Sequence, residues 1–291
     1  MSTVDPCQAT TVGRLPALRL QGPGENQCTV LLQGAQVWSC QFAGRERLYA
    51  SPLSPLQPGI PARGGIPLCW PWLGRHPQHP EAGMHGHLRS LPFELDATGG
   101  NHRHHWLRLS CLMPSGLPAV LNDCRMSITV ALSHQGMFVA WDIKNLGNRP
   151  QPSAGAMHSY LACRSEQAAV HGLGGLPWQG PDECPIWGCS EEPIRELIGR
   201  TRTVYQSQPG PVDFEDGHGS RMRLQRHGSL SLVLWNPGQN HGIADLPTEA
   251  WQDFCCLESA NSGQDARLIP PGGRHCMISR FTFPMSEPLP S

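Results

Sequence analysis

Apolar residues along this chain recur in short runs cut by glycine and proline, and in the clearest run they fall at every second position. In Arg125-Met-Ser-Ile-Thr-Val-Ala-Leu132, the side chains of Met126, Ile128, Val130 and Leu132 share one face of an extended segment. That period of two belongs to a strand with one side buried. Comparable runs span 28–32, 35–42, 106–112, 138–145, 156–162, 230–236 and 277–283. Helical spacing is confined to 244–252, where one short helix is predicted, and 99–105 and 209–219 read as exposed hairpin tips. The pattern predicts an all-β protein, a large antiparallel β-sandwich with few short helices. No stretch of shifted composition divides the chain, so 1–291 is expected to form one domain, with 1–25 as a peripheral segment. No repeat with a period of about 20–50 residues is visible, which argues against a propeller or solenoid.

Composition sharpens this picture. Gly 32 and Pro 29 in 291 residues supply the turns that many short strands require. The formal charge is −1 and only 15% of residues are charged, so no basic excess is present to neutralise a nucleic-acid backbone. The first 22 residues lack a basic segment leading into an apolar one, and no run of about 18 apolar residues occurs. A cytoplasmic protein without nucleic-acid or membrane partners is expected. The 12 cysteines scatter from Cys7 to Cys276 without a CxxC pair, so no disulfide framework is expected. Cys184 and Cys189 do not by themselves make a metal site.

Candidate chemistry concentrates in Arg63-Gly-Gly-Ile-Pro-Leu-Cys-Trp-Pro-Trp72 and His85-Gly-His-Leu-Arg-Ser90. Gly64 and Gly65 allow positive φ or a close approach of backbone to a ligand. Trp70 and Trp72 offer flat faces on which a sugar ring could stack. Arg63 and Arg89 carry planar, permanently charged forks suited to phosphate or carboxylate. An anionic sugar is the substrate these residue types suggest.

These blocks, with Ala156-Met-His-Ser-Tyr160, Val170-His-Gly-Leu-Gly-Gly175, Trp235-Asn-Pro237, Ala244-Asp-Leu-Pro247 and Cys256-Leu-Glu-Ser259, resemble the sugar-phosphate branch of the aldose 1-epimerase family, the hexose-6-phosphate mutarotases. The matched blocks run in the family's order from about residue 34 to 260. The resemblance implies a β-supersandwich of the galactose-mutarotase type and an isomerase that interconverts the α and β anomers of a hexose 6-phosphate. Such a reaction opens and recloses a hemiacetal, so one group must take the proton of the anomeric hydroxyl while another protonates the ring oxygen. By the resemblance, Glu258 is the general base and His158 the acid. Arg63 and Arg89 are the phosphate ligands, and His85 lines the pocket. Arg75 is a weaker candidate for assisting them, and His87 stands where the family often has an apolar or aromatic residue. A histidine and a carboxylate suit the pair because both titrate within reach of neutrality. The two lie 100 positions apart, so the sandwich must bring their strands together. His76, His79, His85 and His87 lack a carboxylate or thiol at ligand spacing, and no metal or other cofactor is expected.

The chain departs from the family pattern in three places. After Gly172-Leu-Gly-Gly175 the usual aspartate is replaced by Trp178-Gln-Gly180, with Asp182 two residues on. Arg202 stands where an aspartate is usual. Trp235-Asn-Pro-Gly238 lacks the following aromatic and lysine. Two other readings therefore stay open: a sugar-phosphate-binding or regulatory protein without turnover, and a mutarotase of other aldoses. A monomer or weak homo-oligomer is expected.

Overall fold

A computed structural model describes residues 6–76, 78–180, 187–189, 192–195, 197–199, 203–206 and 210–283. Every strand pairing within its sheets is antiparallel. A five-stranded sheet runs in chain order from Cys7–Val12 to Arg45–Glu46. A sheet of eight strands is built around Cys124–Ser133, Gly136–Asn145 and Arg274–Thr282. A second sheet of eight strands is built around Ser231–Trp235, Phe254–Asn261 and Gly155–Met157, with Leu68–Cys69 at its edge. This last sheet carries the candidate site.

The alternating pattern explains how the sheets close on one another. Met126, Ile128, Val130 and Leu132 are all fully buried and face one apolar core. Leu18, Leu20, Val30 and Cys40 from the five-stranded sheet enter the same core, as do Leu232, Leu234 and Leu257 from the site-bearing sheet. Each fully buried side chain of this size contributes about 1.5–3 kcal/mol. The residues set apart at 1–25 supply the strands Cys7–Val12 and Leu15–Gln21, which bring Leu18 and Leu20 into that core.

Three local expectations change. The stretch 244–252 is not an α-helix; within it only Ala250–Gln252 is helical, as a single 3-10 turn among non-helical turns. Pro247 accepts the Ala250 N–H, which starts that turn. Within the loop expected at 209–219, Val212–Glu215 is a strand paired with Arg221–His227. The run 156–162 is divided into Gly155–Met157 and Tyr160–Ala162, leaving His158 and Ser159 between them. Among the described residues, no helix is long and apolar enough to cross a membrane.

Candidate active site

The divided strand explains how His158 and Glu258 meet. Gly155–Met157 and Tyr160–Ala162 both pair with Phe254–Asn261, Met157 opposite Ser259 and Tyr160 opposite Cys256. The two registers are continuous, so counting across the gap sets His158 opposite Glu258. On the other side, Met157 pairs with Leu68, the His158 N–H donates to Pro67 O at 2.9 Å, and the Tyr160 N–H donates to Gly65 O at 2.8 Å. The segment following Arg63, the histidine segment and the glutamate strand are therefore three adjacent ribbons. The meeting takes place between neighbours within one sheet, as cross-strand side chains do, and needs no convergence across the sandwich.

His158 Nε2 lies 3.4 Å from Glu258 Oε1, and their side chains are 8% and 2% exposed. The His158 ring stacks on Tyr160, with centroids 4.8 Å apart and planes inclined by 11°. His85 and Trp235 meet it edge-on at 5.4 and 5.7 Å. Burial, then the charges of Arg63 and Arg89, push the His158 pKa down to about 3. Contact with the Glu258 carboxylate favours the opposite shift. Full burial beside two guanidinium groups outweighs one contact at this length, and the resting imidazole is neutral. Its Nδ1 has no hydrogen-bond partner among the described residues.

The five residues expected at the site lie in or beside this group. Arg63 Nε donates to Asp245 Oδ1 at 3.0 Å, and another of its nitrogens donates to Tyr160 Oη at 3.2 Å. Burial works against the Arg63 charge, but Tyr160 and Asp245 together outweigh it and hold the guanidinium protonated. Arg89 donates to Met84 O, while its buried Nε has no partner among the described residues. An unsatisfied buried donor costs about 1–3 kcal/mol, so an acceptor supplied by a ligand would relieve it. His85 adopts φ 67°, and its Nδ1 accepts the Gly74 N–H at 3.1 Å, which leaves the ring proton of the neutral form on Nε2. Arg75 is exposed. His87 contacts Pro118 O and the edge of Trp72. Asp182, Cys184 and Arg202 lie outside the described residues, and Cys189 is described only as backbone.

The tryptophans expected to stack on sugar do not do so. Trp70 is fully buried in the main core and donates through Nε1 to Ser153 Oγ at 2.8 Å. Trp72 is 5% exposed and is covered by His76 and His87. The aromatic rings against His158 are instead Tyr160 and Trp235. Gly64 and Gly65 take the positive φ expected of them, 115° and 62°, while the close approach at Gly65 is to the protein's own backbone. A Cβ on Gly65, at φ 62°, would lie 2.1 Å from Val37 O, so this residue admits neighbouring backbone. Tyr160, Asp245 and Trp235 went unassigned in the sequence although each stands in a recognised block. Tyr160 and Trp235 are signalled by cross-strand register with Cys256. No local signal links Asp245 to Arg63.

A buried imidazole–carboxylate pair beside guanidinium groups, on a face of an antiparallel sandwich, is an arrangement suited to moving protons on a small ligand. The model of the aldose 1-epimerase family matches residues 16–281. The chain belongs to that family and is an enzyme of the sugar-mutarotase type. It is 27% identical over 233 residues to a Salmonella typhimurium protein named "Putative glucose-6-phosphate 1-epimerase", covering 78% of this chain and 77% of that protein. An Escherichia coli protein of the same name is 26% identical over 254 residues, covering 84% and 83%. The fold matches the crystal structure of a "putative mutarotase" from Salmonella typhimurium with a TM-score of 0.81, covering 96% of this chain and 94% of that one at 21% identity.

Proposed function

We propose that this enzyme interconverts the α and β anomers of a hexose 6-phosphate, glucose 6-phosphate first among them. The observation that carries the reading is the buried contact of His158 with Glu258 at 3.4 Å, under the influence of Arg63 and Arg89. Two guanidinium groups beside an acid–base pair favour a sugar that bears an anion over a neutral one. The names of the Salmonella and Escherichia relatives support the same substrate.

In the proposed cycle, Glu258 takes the proton from the anomeric hydroxyl as the bond from C1 to the ring oxygen breaks. His158, as imidazolium, gives its proton to that ring oxygen. The product is the open-chain aldehyde, which rotates about C1–C2. Glu258 then returns its proton to the carbonyl oxygen while His158 recovers one from the hydroxyl that attacks C1. No proton is gained or lost over the cycle. His158 is neutral in the unliganded site, so the acid form must be favoured in the complex. A bound phosphate does this by compensating the two guanidinium charges that depress the ring. The phosphate thereby contributes to turnover as well as to affinity.

The direct test is exchange NMR or polarimetry on glucose 6-phosphate, with glucose as the comparison. Acceleration of phosphorylated-sugar anomerisation, well above that of glucose, is the expected result. Equal rates on both sugars would instead favour a mutarotase of neutral aldoses. Tight phosphate-sugar binding with no anomer exchange above buffer would overturn the proposal.

A further inference from the structure

Cys256 takes no part in the proton transfers above, yet its sulfur faces the pair that carries them. Cys256 and Glu258 stand two residues apart on Phe254–Asn261 and therefore on one face of the strand. One ligand atom each from His158, Cys256 and Glu258 lies within 4.8 Å of the other two, and all three residues are buried. An imidazole nitrogen, a sulfur and a carboxylate oxygen form the mixed donor set that suits a borderline-soft, tetrahedral cation. Three protein ligands leave a tetrahedral ion one further position, for water.

We propose that His158, Cys256 and Glu258 form an inhibitory site for Zn2+ or a cation of like softness, which binds in competition with the sugar. The inhibitory part rests on the catalytic roles proposed above; the binding part does not. Ligands of a tetrahedral zinc stand about 2.0–2.3 Å from the metal, so the triad need only contract around the ion. Binding replaces the Cys256 thiol proton, which leaves to solvent, and involves no oxidation or reduction. The thiolate and the Glu258 carboxylate then balance the 2+ charge, with His158 as a neutral donor. The nearby Arg63 and Arg89 charges oppose cation entry, and Asp245 offsets that of Arg63, with which it pairs at 3.0 Å. The metal would occupy the His158 lone pair and the Glu258 carboxylate, the two groups the reaction needs.

The test uses the whole chain without sugar. Zn2+ is titrated by calorimetry against a competing chelator, and Co2+ is followed by its visible and sulfur-to-metal charge-transfer absorption. One tight equivalent is expected, with a tetrahedral thiolate spectrum that disappears in Cys256→Ala. Cys256→Ser gives the same readout should the smaller side chain not be tolerated. In the activity arm, equimolar Zn2+ should reduce wild-type turnover at least tenfold, chelation should restore it, and the serine variant should be at least tenfold less sensitive. Absence of a tight equivalent, or Co2+ spectra unchanged by either substitution, overturns the site. A wild-type protein that binds Zn2+ through Cys256 but never turns over hexose 6-phosphate would sink the proposed function and leave the metal site standing.

Discussion

Replacing Glu258 with glutamine tests the acid–base assignment with little disturbance of shape. Glu258 is opposite Val233 in the sheet ladder, and its backbone pairing does not depend on the carboxylate. The side chain is 2% exposed, and glutamine keeps its length and shape in that space. Thermal stability should therefore change little. Among the described residues Glu258 supplies the one carboxylate in contact with His158, so the variant has no second base to fall back on. Positioned proton carriers contribute about 10²–10⁴ in rate, which is about 2.7–5.4 kcal/mol at 1.36 kcal/mol per decade. Because the same group serves ring opening and reclosure, the loss should appear in kcat with KM little changed. Exchange NMR at the equilibrium anomer ratio reads the enzyme's addition to the buffer rate directly. A folded Glu258→Gln protein with more than a third of wild-type kcat would refute the reasoning.

Arg89→Met should raise KM for glucose 6-phosphate about ten- to hundredfold, from about 1.5–3 kcal/mol for a hydrogen bond to a charged group. Activity on glucose should not fall, because loss of the Arg89 charge eases the depression of His158, and equal losses on both sugars would remove Arg89 from phosphate recognition. His158→Gln should reduce kcat by about 10²-fold or more while the protein stays folded. The same variant has a stability signature. The folded-state pKa of His158 is depressed to about 3, so the stabilisation from keeping the ring neutral is present above its unfolded pKa near 6.5 and is lost as pH falls toward 3. Urea midpoints should drop more steeply for wild type than for His158→Gln between pH 7 and pH 4.5, and parallel curves would contradict the neutral resting state.

Much of the sandwich was legible in the sequence because burial there obeys one periodic rule. The runs at 126–133 and 138–145 became Cys124–Ser133 and Gly136–Asn145, with the predicted face of the first in the core. Misreadings arose where that rule is suspended. At His158 and Ser159 the ladder is interrupted, and the run 156–162 carries no mark of it, since its apolar residues continue on both sides. Trp70 and Trp72 were misjudged because an aromatic in a glycine- and proline-rich loop reads the same whether it faces ligand or core. Only tertiary contacts with Ser153 and His76 decide the matter. Asp245 was invisible for a related reason: ion pairing with Arg63 is a property of two loops meeting, not of either loop's pattern.

The three-ribbon arrangement also makes the site sensitive to a residue that touches no substrate. Gly65 accepts the Tyr160 N–H through its carbonyl, and two positions on, Pro67 accepts that of His158. These bonds tie the segment after Arg63 to the acid, while the glutamate strand holds the other flank. Gly65→Ala would place a Cβ 2.1 Å from Val37 O at a φ of 62°, and the obstacle is backbone, which cannot rotate away. Relief requires the 63–67 segment to move outward, carrying Arg63 and loosening the bonds to Tyr160 and His158 together. The substitution should thus lower kcat and raise KM for glucose 6-phosphate at once, with a stability loss of about 1–3 kcal/mol from the strained conformation. A simple packing defect would lower the melting temperature and leave both kinetic constants near wild type. Measuring all three on one folded preparation separates the alternatives, and unchanged kinetics would show that acid and guanidinium are held independently.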